Sequence, residues 1–137
     1  MPRFCASWRL SSTEPGDEYG LGIPSVVTFS APSARTAWPI ELHDHGSGHR
    51  WHTFPEDHVH YIPLASLTPD DADNVIAAGR CIDADTAALS SVRVMGPCIA
   101  MGAAAAHALD LAGTGSVHQI DLAALATRVH DNVERTD

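Results

Sequence analysis

Cysteine is scarce in this sequence. Cys5, Cys81 and Cys98 are the only three in 137 residues, and no two form a CxxC pair. An odd count with no secretion signal points to free thiols in a reducing cytoplasm, which is the expected compartment. Basic residues are few as well: Lys and Arg number 8 against 17 Asp and Glu, a formal net charge of −9. A chain of that charge repels phosphate backbones, so nucleic acid is excluded as an expected partner. Long apolar runs are missing too. The longest, 98–109, is Ala-rich, contains His107 and falls short of the roughly 20 residues that span a bilayer. Residues 1–10 carry Arg3 and Arg9 but no continuous apolar stretch, so no signal peptide is expected. The sequence has no internal repeat.

What is present fits one ordinary domain: 137 residues, 45% of them hydrophobic, enough to bury a core. Residues 1–36 read as an irregular N-terminal region broken by Pro2, Pro15, Pro24 and Pro32 and by Gly16, Gly20 and Gly22, with one candidate strand at 26–29. Residues 37–137 read as the folded domain. Strands are expected at 38–42 and 58–62, with a long polar connection between them rich in turn formers. Pro69-Asp70-Asp71 opens a turn or a helix start, and the Asp70, Asp71 and Asp73 group reads as a solvated one. The apolar run 74–78 before Gly79 reads as a buried strand. A helix is expected over 97–112, with Pro97 in its first turn, Ala103 to Ala106 as strong helix formers and Gly113 as its stop. Gly102 carries a helix penalty of about 1 kcal/mol, which predicts close packing at that point. A second helix is expected over 121–133, capped by Asp121, stapled by Ile120 and Leu125, and striped by Leu122, Leu125 and Val129. The fold class is therefore mixed, α+β or a fragment of an α/β fold: a few short strands, an Ala-rich helix and a C-terminal helix.

Several clusters invite chemical readings. His43, His45, His49, His52, His58 and His60 lie within 18 positions of one another, with Asp44 and Glu56 beside them. Histidine is the commonest metal ligand, and His43 with His45, or His58 with His60, would share a strand face. The spacing matches no closed zinc site, so the favoured reading is a solvated loop and no metal site is assigned. Cys81 and Cys98 are either thiols activated by Arg80 or a helix N-terminus, or small buried hydrophobes. Arg93 has an acid such as Asp83 or Asp85 as an alternative partner to a ligand. Trp38 and Trp51 read as packing residues. Ser25 and Ser91 lack a nucleophile-elbow context.

The stretch 62–106 reads IPLASLTPDDADNVIAAGRCIDADTAALSSVRVMGPCIAMGAAAA. Its Ile-Pro, Leu-x-Pro, Ala-Gly-Arg-Cys, Ser-x-Arg-Val-Met and Met-Gly, in this order, resemble the C-terminal signature of a group of FAD-dependent oxidoreductases. The segment Trp38-Pro39-Ile40-Glu41-Leu42-His43 resembles what precedes it, so the likeness covers roughly the last two thirds of the chain. The resemblance implies that an N-terminal Rossmann-like half holds the ADP of FAD and that this segment returns to it beside the flavin. It implies that Gly79, Arg80 and Cys81 lie near the ribityl–phosphate portion, and that Ser91, Val92, Arg93 and Met95 approach the flavin ring. A glycine at a strand end and a helix N-terminus near Pro97 suit those roles physically.

The sequence also departs from that pattern. No usable GxGxxG is present: Gly20-x-Gly22 runs into Pro24 and Ser25, and Gly113-x-Gly115 follows a helix, where the motif needs a strand before and a helix after it. Asp85-Thr86-Ala87-Ala88 stands where the family often has Thr-His-Glu-Ala. Leu64-Ala65 replaces Tyr-Arg, and Ala106 replaces a second glycine. The expectation is a flavin-facing C-terminal portion that takes FAD only with a complementary Rossmann half. Its partner is expected to be a Rossmann-type subunit or a second copy, since an orphan segment exposes the apolar surface its other half would cover. The alternatives are a non-catalytic interaction module derived from that fold and a histidine-loop metal protein.

Overall fold

The computed structural model describes residues 31–134, except 45, 47, 83 and 85. The candidate strand at 26–29, Cys5, Ser25, His45, Asp83 and Asp85 therefore lie outside the described residues. Among these residues are two small antiparallel pairs, one lying in sequence inside the other, followed by four α-helices, so the mixed α and β class holds.

The first pair joins β1 (Pro32–Thr36) to β4 (His60–Pro63). Ala34 faces Ile62 and Thr36 faces His60, with a register shift between Pro32 and Ala34. The shift leaves Ser33 out of the pairing, and its hydroxyl donates to the Ile62 carbonyl at 2.8 Å. The second pair is a hairpin of β2 (Ile40–Asp44) and β3 (Gly48–His52), in which His43 faces His49 and Glu41 faces Trp51. The long polar connection expected over 43–57 thus contains a strand. Gly46 and Gly48 adopt φ of 114° and 95°, a backbone that side-chain-bearing residues rarely take, and this lets the chain reverse inside the histidine-rich stretch.

Residues 74–78 differ from the sequence reading. Ala78 is extended, at φ −132° and ψ 162°, yet among the described residues the segment pairs with no strand. It is tied by the Ala77 N–H to the Leu67 carbonyl at 2.7 Å, and Gly79–Cys81 is a 3-10 turn. Asp70 and Asp71 form a turn and start no helix. A short helix absent from the sequence reading, α1 (Thr86–Val92), follows and buries Ala87, Ala88, Ser91 and Val92.

The Ala-rich helix is α2 (Met95–Ala112). It begins two residues before Pro97, which still sits in the first turn, where its missing N–H breaks no helical bond. Gly113, at φ 57°, ends it by donating to the Leu109 carbonyl at 3.0 Å. The expected C-terminal helix is two pieces, α3 (Leu122–Arg128) and α4 (His130–Val133). They are broken at Val129, at φ −100° and ψ 12°. The Asp121 cap is present: Oδ1 accepts from the Ala123 N–H at 2.9 Å and the Ala124 N–H at 3.2 Å.

α2 is the centre of the domain. One side, through Met101, meets Ala34, Ile62, Leu67, Ile82 and Val92. Further along, Ala104 and Ala108 meet Leu64, Leu125 and Val129. Alanines bury little area, so most of the stabilisation comes from the larger partners, about 1.5–3 kcal/mol for each fully buried Leu, Ile or Met. The remaining face of α2 is bare: Met95 is 83% exposed, Ile99 73% and Leu109 40%. Gly102 lies on that face with nothing within 4 Å of where a Cβ would stand, so the close packing its position predicts is not made by the described residues. At 18 residues α2 also meets the length and composition of a membrane crossing, which the sequence reading did not anticipate. Of that stretch 22% is buried in the domain, and it packs on β1 and α3.

Candidate functional site

A short linker, Arg93 and Val94, carries the chain from α1 into α2 and brings the α2 N-terminus against the β1–β2 junction. Between them opens a cleft of about 990 Å³, lined by Arg35, Trp38, His58, Arg93, Met95 and Pro97, among others. Two arginines and the first-turn N–H groups of an 18-residue helix face this space, and both favour an anionic edge of a ligand. Glu56 and Asp57 line it as well.

Arg93 is held in place by Glu41 of β2. Its Nη2 donates to the Glu41 carbonyl at 3.3 Å and lies 3.5 Å from the carboxylate Oε2. Among the described residues Glu41 is thus its acidic partner; Asp83 and Asp85 lie outside them. Ser91 is fully buried. Its hydroxyl donates to the Trp38 carbonyl at 2.5 Å and meets His60 Nε2 at 2.9 Å. His60 Nδ1 meets His58 Nε2 at 3.1 Å, and Phe54 stacks on His58 with ring centroids 4.1 Å apart. Burial drives the His60 pKa down to about 4, with His58 a smaller cause in the same direction. The His58 pKa is also lowered, by burial first, while Asp57 works against that shift.

The seven residues singled out from the sequence fall in two groups. Arg93 and Met95 line the cleft directly. Val92 and Ser91 are buried and do not line it, Val92 packing in the core with Ala34, Ile62 and Met101. Gly79, Arg80 and Cys81 form the 3-10 turn that packs on α2. Gly79 takes φ 67°, and a Cβ there would lie 3.7 Å from the Cys98 sulfur. Arg80 and Cys81 are exposed on that turn. Cys98 is half-buried, its Sγ 3.9 Å from the Val92 carbonyl.

The structure adds His58, His60, Phe54 and Trp38 to the site. The His-x-His spacing at 58–60 was visible in the sequence, but its favoured reading was a solvated loop. Only His60 lies in β4, and its partner across 31 positions, Ser91, could not be read from spacing. Among the described residues no group of three or more His, Cys, Asp or Glu is placed to hold a metal ion. Trp38 and Trp51 are both substantially exposed and pack edge to face at 6.2 Å, forming one wall beside the hairpin.

The family model of FAD dependent oxidoreductases matches residues 27–129. The match spans most of the chain, and the protein belongs to that family. No curated protein and no solved structure matches the chain.

The donor set of the cleft is chemically suited to one end of FAD. A helix N-terminus with Arg35 and Arg93 beside it suits the electron-rich pyrimidine edge of a flavin. The other end finds no counterpart among the described residues. Gly113 and Gly115 follow a helix and lead into a 3-10 turn, not the strand–turn–helix that cradles a pyrophosphate.

Proposed function

We propose that this chain is the flavin-facing portion of an FAD-dependent oxidoreductase, and that it holds FAD together with a complementary Rossmann half supplied by a partner or by further sequence. The observation that carries this reading is the bare apolar face of α2, on which Met95, Ile99, Gly102 and Leu109 stand uncovered beside the cleft. A helix that is apolar all round belongs inside a larger fold or a membrane. Here one side is already buried in the domain, which favours a second protein layer over lipid. Gly102 and Ala106 let that layer approach the helix backbone closely.

In this reading Arg35, Arg93 and the α2 N-terminus orient the flavin edge, and Gly79 with Arg80 contributes to the adjoining phosphate–ribityl side. Bound FAD supplies the two-electron chemistry, while the protein supplies orientation and electrostatics.

The test is co-expression with the dinucleotide-binding half of a family member, followed by an absorbance spectrum of the purified complex. The oxidised-flavin band accompanying the complex supports the proposal. A well-folded complex without flavin overturns it and leaves an interaction module as the better account.

A further inference from the structure

The hydrogen bonds behind the cleft run in one direction. The Trp38 carbonyl can only accept, so the Ser91 hydroxyl at 2.5 Å must donate to it. That leaves Ser91 oxygen as acceptor for His60, 2.9 Å away, and makes His60 the Nε2–H tautomer. His60 Nδ1 is then a bare lone pair, and the neighbouring His58 Nε2 at 3.1 Å must carry the proton. In neutral His58 this leaves Nδ1 unprotonated. Among the described residues Nδ1 has no hydrogen-bond partner, and His58 lines the cleft. The Phe54 ring, stacked at 4.1 Å, fixes the plane of the imidazole.

From this geometry we infer that His58 is the proton-accepting group of the cleft, with Ser91 and His60 as positioning residues that set its tautomer. The inference deepens the flavin-site reading and rests on it for the nature of the cleft. The ligand class is one that presents an O–H or N–H donor to His58. The proton moves from that atom to Nδ1, the electron pair of the broken bond stays on the donor atom, and His58 becomes an imidazolium. Its Nε2–H still points at neutral His60, so no other proton in the chain has to move. Asp57 favours the resulting cation against the burial that disfavours it, while Arg35 and Arg93, which also line the cleft, favour the ligand's developing negative charge. The buried Ser91 is no nucleophile here, since its hydroxyl proton is engaged by a backbone carbonyl.

The test reads the imidazole nitrogens of the full chain by long-range proton–nitrogen NMR near neutral pH, without flavin, so it stands apart from whether FAD binds. The wild type is expected to show His58 and His60 both mainly as Nε2–H. Ser91→Ala removes the acceptor that fixes His60 and is expected to shift a large fraction of His58 to Nδ1–H. Ser91→Thr keeps the hydroxyl and is expected to keep the wild-type tautomers; backbone spectra of both variants establish that they fold. Acylation by diethyl pyrocarbonate, mapped by peptide mass spectrometry, is expected to modify His58 several-fold faster than His60. His58 found as Nδ1–H in the wild type, tautomers unmoved by a folded Ser91→Ala, or a His58 inert to the reagent would each overturn the inference.

Discussion

Arg93, at the junction of α1 and α2, is bound to Glu41 of the hairpin through both its carbonyl, at 3.3 Å, and its carboxylate, at 3.5 Å. The contact ties the linker that lines the cleft to the hairpin. Both side chains are about three-quarters buried. Glu41→Ala is expected to destabilise the chain by only about 1 kcal/mol, because a partly solvated pair is screened. The same change removes the carboxylate beside Arg93 and leaves its contact with the residue-41 carbonyl. Urea midpoints for wild type and variant check the first expectation, and a large loss, above roughly 3 kcal/mol, would mean the pair behaves as a buried one.

Asp121 caps α3 with two accepted hydrogen bonds. Asp121→Ala is expected to cost about 1 kcal/mol. The loss should appear as a lower urea midpoint with an unchanged slope.

Gly79 and Gly102 are expected to respond in opposite directions to alanine. Gly79 has φ 67°, so Gly79→Ala imposes a left-handed backbone on a Cβ-bearing residue and is expected to destabilise by about 1–2 kcal/mol. Gly102 is helical with open space around it, so Gly102→Ala is expected to stabilise the isolated chain by about 0.5–1 kcal/mol. Thermal unfolding of both variants decides. A destabilised Gly102→Ala would show that the α2 face is already packed in the free chain.

His60 links stability to pH. Its pKa falls from an ordinary value near 6.5 to about 4 on folding, so between those values the unfolded chain binds the extra proton. Its contribution is complete above pH 6.5 and is lost progressively as pH falls toward 4. Wild type is expected to lose more stability between pH 7 and pH 5 than His60→Gln, measured by urea unfolding at both values. Equal losses would show that His60 titrates normally in the folded chain.

How far the sequence reached can be told from particular elements. The Ala run and Gly113 made α2 legible, and the Asp121 cap with its Ile120–Leu125 staple marked the start of α3, because capping and propensity are local. The break at Val129 has no proline or glycine to announce it. Strand β3 was hidden because GHRWH is polar and exposed on most of its length, and a pairing partner, not hydrophobic alternation, makes it a strand. The run 74–78 showed the opposite error: its apolar residues promised a strand, but strand formation needs a neighbour that no described residue provides. At the site, Arg93 and Met95 were reachable through the family likeness. The Trp38–Ser91–His60–His58 chain was not, because Ser91 stands 53 positions from Trp38 and 31 from His60, and only tertiary packing joins them.

The most direct test of the central claim is an FAD titration of the chain mixed with a separately produced Rossmann half, comparing wild type with Ile99→Glu. Ile99 lies on the bare face of α2 and is 73% exposed, so a charge there leaves the free chain folded but would be buried unpaired at the proposed interface. Saturable binding by the wild-type mixture, absent from either component alone and weakened at least tenfold by Ile99→Glu, is the predicted result. No binding by a mixture of folded components, or binding that Ile99→Glu leaves untouched, would contradict the account.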